Sequence, residues 1–139
     1  MAKAGAAQGA QVVELQIPCR PEYVSVVRLA VAGVASRLPF GYDVIEDIKQ
    51  AVAEACNNAV EYGKPPTLSP DEATVVVRCT VTDSALEIEV MDQGPGFDPE
   101  KTEKGLGMTI MESLMDEVEY IRPPGGGMLI RMVKRVGTG

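Results

Sequence analysis

The chain has 139 residues, 45% of them hydrophobic, and a formal net charge of −7 from 13 basic and 20 acidic side chains, with no histidine. That size and composition describe one domain able to bury a core without disulfides, and they exclude wholesale disorder. The acidic balance argues against nucleic acid as a direct partner, because phosphate backbones need a basic face. The missing histidine removes Ser-His-Asp triads and a phosphohistidine relay within the chain.

Residues 1–11, mostly Ala, Gly and Gln, are expected to form a disordered tail ahead of a single domain spanning 12–136. Val12, Val13, Leu15 and Ile17 predict a first strand closed by Pro18, placed where a sheet edge could pair with another chain. Val24, Val27, Val31, Val34 and Leu38 return at helical spacing and predict a first helix over Glu22–Leu38. Asp43 then reads as the N-cap of a second helix. From Val44 to Tyr62 neither Pro nor Gly interrupts the chain, and Gly63 reads as a left-handed terminator.

In that second helix Ile45, Ile48, Val52, Ala55 and Ala59 form an apolar stripe. Asp47, Ala51, Glu54 and Asn58 form a stripe beside it, and Asn57 projects elsewhere. Glu54 and Asn58 are neighbours at i, i+4. A carboxylate there can orient a hydroxyl, and a carboxamide oxygen can serve Mg²⁺, which prefers oxygen ligands and keeps several waters. A plain solvated helix face is the competing reading.

A proline-bearing connector over Lys64–Asp71 leads to two strands, Ala73–Val81 and Leu86–Val90. Their alternation predicts an antiparallel hairpin with one wet face. The second strand runs into Asp92-Gln93-Gly94-Pro95-Gly96-Phe97. A carboxylate at a strand end can accept a hydrogen bond from an exocyclic amine, and the glycines admit close approach of a flat ring. An ordinary Asx turn is the alternative there. After the charged stretch Asp98–Lys104, Gly105-Leu106-Gly107 opens a third helix. Free amides at a helix start attract phosphate, and Lys101 and Lys104 lie just upstream. Met108, Met111, Leu114 and Met115 read as its core-facing side. Val118–Ile121 and Met128–Val133 complete the chain as strands.

The order β-α-α-β-β-α-β-β predicts an α+β two-layer sandwich, a mostly antiparallel mixed sheet with helices on one face. No run of 18 apolar residues occurs, so no helix is expected to span a membrane. Nothing at the start reads as a signal peptide, so Cys19, Cys56 and Cys79 are expected to be reduced cytoplasmic thiols.

Taken together, Glu-x-x-x-Asn on a helix, strand-Asp-x-Gly-x-Gly, and Gly-x-Gly before a helix resemble the three ordered boxes of the GHKL (Bergerat-type) ATPases. Glu54-Ala55-Cys56-Asn57-Asn58-Ala59-Val60-Glu61-Tyr62-Gly63 resembles the first box of the anti-sigma-factor serine kinases of Gram-positive bacteria. Thr109-Ile110-Met111-Glu112-Ser113-Leu114-Met115-Asp116-Glu117-Val118 is similar to the segment after their last box. The likeness covers roughly residues 12–135.

The resemblance implies an ATP-dependent protein serine kinase that is also an anti-sigma factor. It implies that Asn58 holds Mg²⁺ on the phosphates of ATP and that Glu54 is the base or orienter for the attacking hydroxyl. Asp92 would take the adenine amine, with Gly94 and Gly96 shaping the pocket. Lys104, Gly105, Leu106, Gly107 and Met108 would flank the phosphates of ATP or ADP. Arg28 would contact partners: a sigma factor and an anti-anti-sigma protein bearing the acceptor serine. A homodimer is implied as well.

The chain departs from the family in two places. Its lid, Asp98–Lys104, is shorter than usual, and Tyr62 stands where many members have His. The alternative is a nucleotide-dependent protein-binding module with little or no kinase activity. A detached histidine-kinase catalytic domain is a third reading and, without a histidine, could act only in trans.

Overall fold

The computed structural model describes residues 10–96 and 105–137. Val and Ile at alternate positions dictate the strands, and where that alternation gives way to a three-to-four-residue apolar repeat the chain coils into helices. The elements are β1 (Gln11–Pro18), a 3-10 turn (Pro21–Tyr23), α1 (Val24–Ala35), α2 (Tyr42–Tyr62), β2 (Thr74–Val81), β3 (Ala85–Asp92), α3 (Leu106–Leu114), β4 (Glu117–Ile121) and β5 (Met128–Arg135).

The strands lie in the order β1-β2-β3-β5-β4. All four pairings are antiparallel, so the expected mixed sheet contains no parallel pair among the described residues. Inward positions Val75, Val77 and Cys79 of β2 and Leu86, Ile88 and Val90 of β3 are buried. They meet Ile48, Ala51, Val52, Ala55, Cys56 and Ala59 of α2 in one core, to which α1 adds Val27 and Val31. Burying a side chain such as Ile48 completely contributes about 2–3 kcal/mol. The expected stripe is therefore the core face of α2, with Ile45 at its half-buried margin.

The opposite sheet face is polar by design of register. Glu14, Arg78, Glu89, Arg131 and Glu119 stand side by side across all five strands. Their charges alternate, which favours neighbouring strands. Arg131 also pairs with Glu87 and Glu117. This row explains the wet face of the hairpin, which no second layer covers among the described residues.

Several local expectations change. Gln11, placed in the tail by composition, pairs with Val81 in the sheet; the rest of the expected tail, apart from Ala10, lies outside the described residues. The first helix is shorter than Glu22–Leu38, because Pro21 sets up a 3-10 turn before it and Ser36 ends it, although Leu38 is still buried. Asp43 is not the N-cap of α2. Gly41 caps it without a side-chain bond, and Asp43 falls in the first turn, where a carboxylate meets the positive end of the helix dipole. Gly63 ends α2 at φ −95°, outside the left-handed region, so its glycine character has another cause.

Candidate functional site

α2, the end of β3, the start of α3 and the start of β5 converge on one cavity of about 530 Å³. Asn58, Glu61 and Tyr62 line it from α2; Asp92, Pro95 and Gly96 from β3 and its loop; Gly105, Leu106 and Met108 from α3; and Met128 and Ile130 from β5. The walls are therefore mostly apolar, with two carboxylates, Asp92 and Glu61, and one carboxamide, Asn58.

Asp92 sits at the centre of a glycine-lined cradle. The backbone N–H groups of Gly94 and Met128 donate hydrogen bonds to its carboxylate, the first at 2.9 Å. Burial pushes the Asp92 carboxyl above the ordinary carboxylate range, and these two amides pull it part of the way back. A Cβ on Gly63 would run into the Asp92 carboxyl carbon and the Ala59 carbonyl, and a Cβ on Gly127 would run into the Asp92 carbonyl oxygen. Gly94 packs equally closely against the backbone of Gly63. That contact between α2 and β3, rather than a left-handed turn, is why residue 63 is glycine. Gly96 has φ +74° and Gly127 φ +85°, conformations that other residues rarely adopt. Gln93 secures the loop by accepting the Thr74 N–H at 2.8 Å.

The second feature is the junction of α2 and α3. A Cβ on Gly107 would lie 3.0 Å from Glu54 Oε1 and 3.9 Å from Asn58 Nδ2. Gly107 thus lets the start of α3 rest against the Glu54/Asn58 stripe, beside the cavity rather than in its walls. α3 begins at Gly105 with no side-chain cap among the described residues. Its first-turn amides have no partner within the helix and point outward from its start, which suits an anion. Asn57, next in sequence to Asn58, is exposed, so the two asparagines differ as their helical angles require.

The structure therefore gathers Asn58, Asp92, Gly96, Gly105, Leu106 and Met108 around one space, with Glu54, Gly94 and Gly107 packed at its margins. Arg28 is not part of it and stands exposed on α1. Lys101, Lys104 and the short lid lie outside the described residues. Sequence reasoning missed Glu61 as a wall residue, although its i, i+3 spacing from Asn58 marks the same helical face. It treated Tyr62 only as a family difference. It also missed Gly127, Met128 and Ile130, whose position follows from the pairing of Asp92 with Met128.

The residues fit a purine nucleotide: a carboxylate preset to accept an amine, glycines admitting a flat ring, and an uncapped helix start for phosphate. Asn58 fits one site of a Mg²⁺ ion that takes its other ligands from phosphate and water. Fold and cavity together define a nucleotide-binding domain of the ATPase type, and the family model described as the histidine kinase-like ATPase domain matches residues 17–134.

A serine-protein kinase RsbW of Bacillus velezensis is 41% identical over 88% of this chain and 84% of its own length. That of Bacillus subtilis strain 168 is 40% identical over 78% of this chain and 77% of its own. This chain belongs to the serine-protein kinase RsbW family within the histidine kinase-like ATPases. Among solved structures, the RsbU and RsbW domains of a Mycobacterium tuberculosis protein match with a TM-score of 0.70 at 21% identity, covering 90% of this chain and 32% of that one, and share its fold.

Proposed function

We propose that this chain is an ATP-dependent protein serine kinase that phosphorylates a serine of an anti-anti-sigma protein and also sequesters a sigma factor. One observation carries the reading: Asn58, Asp92 and the uncapped start of α3 face a single cavity, and Glu54 lies against Gly107 at its edge. Family membership supports the same activity.

Asp92 accepts the adenine amine, and the glycines at 94 and 96 leave room for the ring. The α3 amides, with Gly105, Leu106, Gly107 and Met108, hold the phosphates, joined by Lys104. The Asn58 amide oxygen would be a ligand for Mg²⁺, which when bound would supply charge neutralisation at the phosphates. Glu54 orients the acceptor serine hydroxyl and takes its proton as the serine oxygen bonds to the γ-phosphorus and the bond to the departing ADP breaks. Phosphoryl transfer asks for little more than positioning and neutralisation, so few side chains suffice. The domain spans 12–136 with Gln11 joined to its sheet, works in the cytoplasm, and forms a homodimer. Three buried, unpaired cysteines suit a reducing compartment. Arg28, beside Leu29 at 73% exposure, belongs to a partner-binding face on α1.

The test is transfer of labelled phosphate from γ-labelled ATP to the serine of an anti-anti-sigma protein in the presence of Mg²⁺. Glu54→Gln is expected to slow transfer by about a hundredfold to ten-thousandfold while ATP affinity stays within a few-fold. Unimpaired transfer by that variant would overturn the role of Glu54. No labelled serine with the native chain would overturn the kinase reading.

A further inference from the structure

The cavity wall contains one carboxylate that the proposed mechanism does not use, Glu61. Glu61 is exposed at the cavity rim, and beside a polyanion its carboxylate repels the ligand unless it accepts hydrogen bonds from it. A bound adenine nucleotide offers donors in two places only: the exocyclic amine and the ribose hydroxyls. Among the described residues the cavity offers two carboxylates, Asp92 and Glu61. If the amine belongs to Asp92, the hydroxyls are what remains for Glu61.

The layout of α2 agrees with that assignment. On the nucleotide reading above, Asn58 stands at the phosphate end of the cavity, and Gly63, packed on Asp92, at the base end. They are five helical steps apart, about 7.5 Å along the axis, which is the span a ribose bridges between its base and its phosphates. Glu61 and Tyr62 are the wall residues in that interval. The Tyr62 ring, 65% exposed, borders the cavity, and its hydroxyl lies beside the Glu61 carboxylate.

We propose that Glu61 is the sugar-reading residue of this site, its carboxylate accepting hydrogen bonds from the ribose hydroxyls and thereby favouring ribonucleotides over deoxynucleotides. The inference rests on the nucleotide reading above and adds to it a specificity determinant on α2. Asn58 and Glu61 share a helix face, so the competing role for Glu61 is a second oxygen ligand to Mg²⁺.

The experiment is calorimetric titration of the native chain and of Glu61→Ala with ATP and with 2′,3′-dideoxy-ATP, each with and without Mg²⁺. The native chain is expected to bind ATP about tenfold more tightly than the dideoxy form, the effect of a hydrogen bond to a charged acceptor. Glu61→Ala is expected to narrow that ratio to within about twofold. Loss of the negative charge changes affinity for both ligands by the same factor and cancels in the ratio, as does any loss of folded protein. Equal binding of the two nucleotides by the native chain, or a ratio undiminished in Glu61→Ala, overturns the inference while leaving the ATP reading intact. Equal weakening of both ligands that vanishes without Mg²⁺ overturns it in favour of a metal ligand. Absence of binding by either nucleotide to the native chain overturns the nucleotide reading itself, and this inference with it.

Discussion

At the residue scale the most constrained side chain is Asp92. Its carboxylate is held half-buried by two amides and three nearby glycines, and its pKa is raised by burial. A group whose folded pKa lies above its unfolded value supports the fold below the unfolded pKa and loses that support as pH rises through the folded one. At neutral pH ionised Asp92 therefore works against folding, which fits the ligand-binding role proposed for it rather than a role in stability. Asp92→Asn keeps an oxygen to accept the Gly94 N–H and removes the charge. The nucleotide-free variant is expected to melt no lower than the native chain at pH 7, with its relative stability greater at pH 7 than at pH 4. ATP affinity falls by about tenfold or more, since an amide cannot replace the charged acceptor of the amine. Thermal melts at the two pH values and ATP titration check both parts; a lower melting temperature at pH 7 with full ATP affinity would contradict this account.

At the element scale α2 does two jobs with two faces. Ile48, Val52, Ala55 and Ala59 anchor it to the sheet, and Glu54, Asn58 and Glu61 are carried on the neighbouring face as a consequence of the same helical turn. Its C-terminus is registered against β3 by the contact of Gly63 with Asp92 and Gly94. Gly63→Ala forces a methyl group into backbone as well as side chain, so relaxation has to move one element against the other. We expect a loss of about 1–3 kcal/mol in denaturant unfolding, typical of overpacking, together with weakened ATP binding because Asp92 is displaced. Retention of native stability and affinity in Gly63→Ala would show that this contact does not set the register. The α3 junction works similarly on a smaller margin, since Gly107 leaves 3.0 Å between a would-be Cβ and Glu54 Oε1.

At the scale of the whole molecule, the sheet leaves β1 at an edge, paired among the described residues only with β2, with Val12 and Val13 at 48% and 46% exposure. An unpaired apolar edge is a surface that proteins usually cover or pair. The homodimer proposed above would cover it, and light scattering at micromolar concentration is expected to give twice the 14.8 kDa chain mass. A monomer mass would remove this strand edge from the account. No helix among the described residues is long and apolar enough to cross a membrane.

How much of this was legible in advance follows from the range of the forces involved. The amphipathic stripe of α2, the alternation of β2 and β3, and the burial of Met108 and Met111 on α3 and of Met115 just past its end are set by neighbours within a few residues, so periodicity revealed them. The ordered boxes pointed to Glu54, Asn58 and Asp92, which the fold brings to one cavity and its margin. Gly63 was visible as a helix end but not as the seat of Asp92, because that contact joins positions far apart in the chain. The same holds for Gly127 and Met128, brought to Asp92 by the β3–β5 register, and for Glu61, whose place in the wall depends on where α3 and β5 stand opposite α2. Local pattern settled which elements form and which faces they bury. Long-range pairing across the sheet, together with close packing that admits only glycine at its tightest points, settled which of those residues share a cavity.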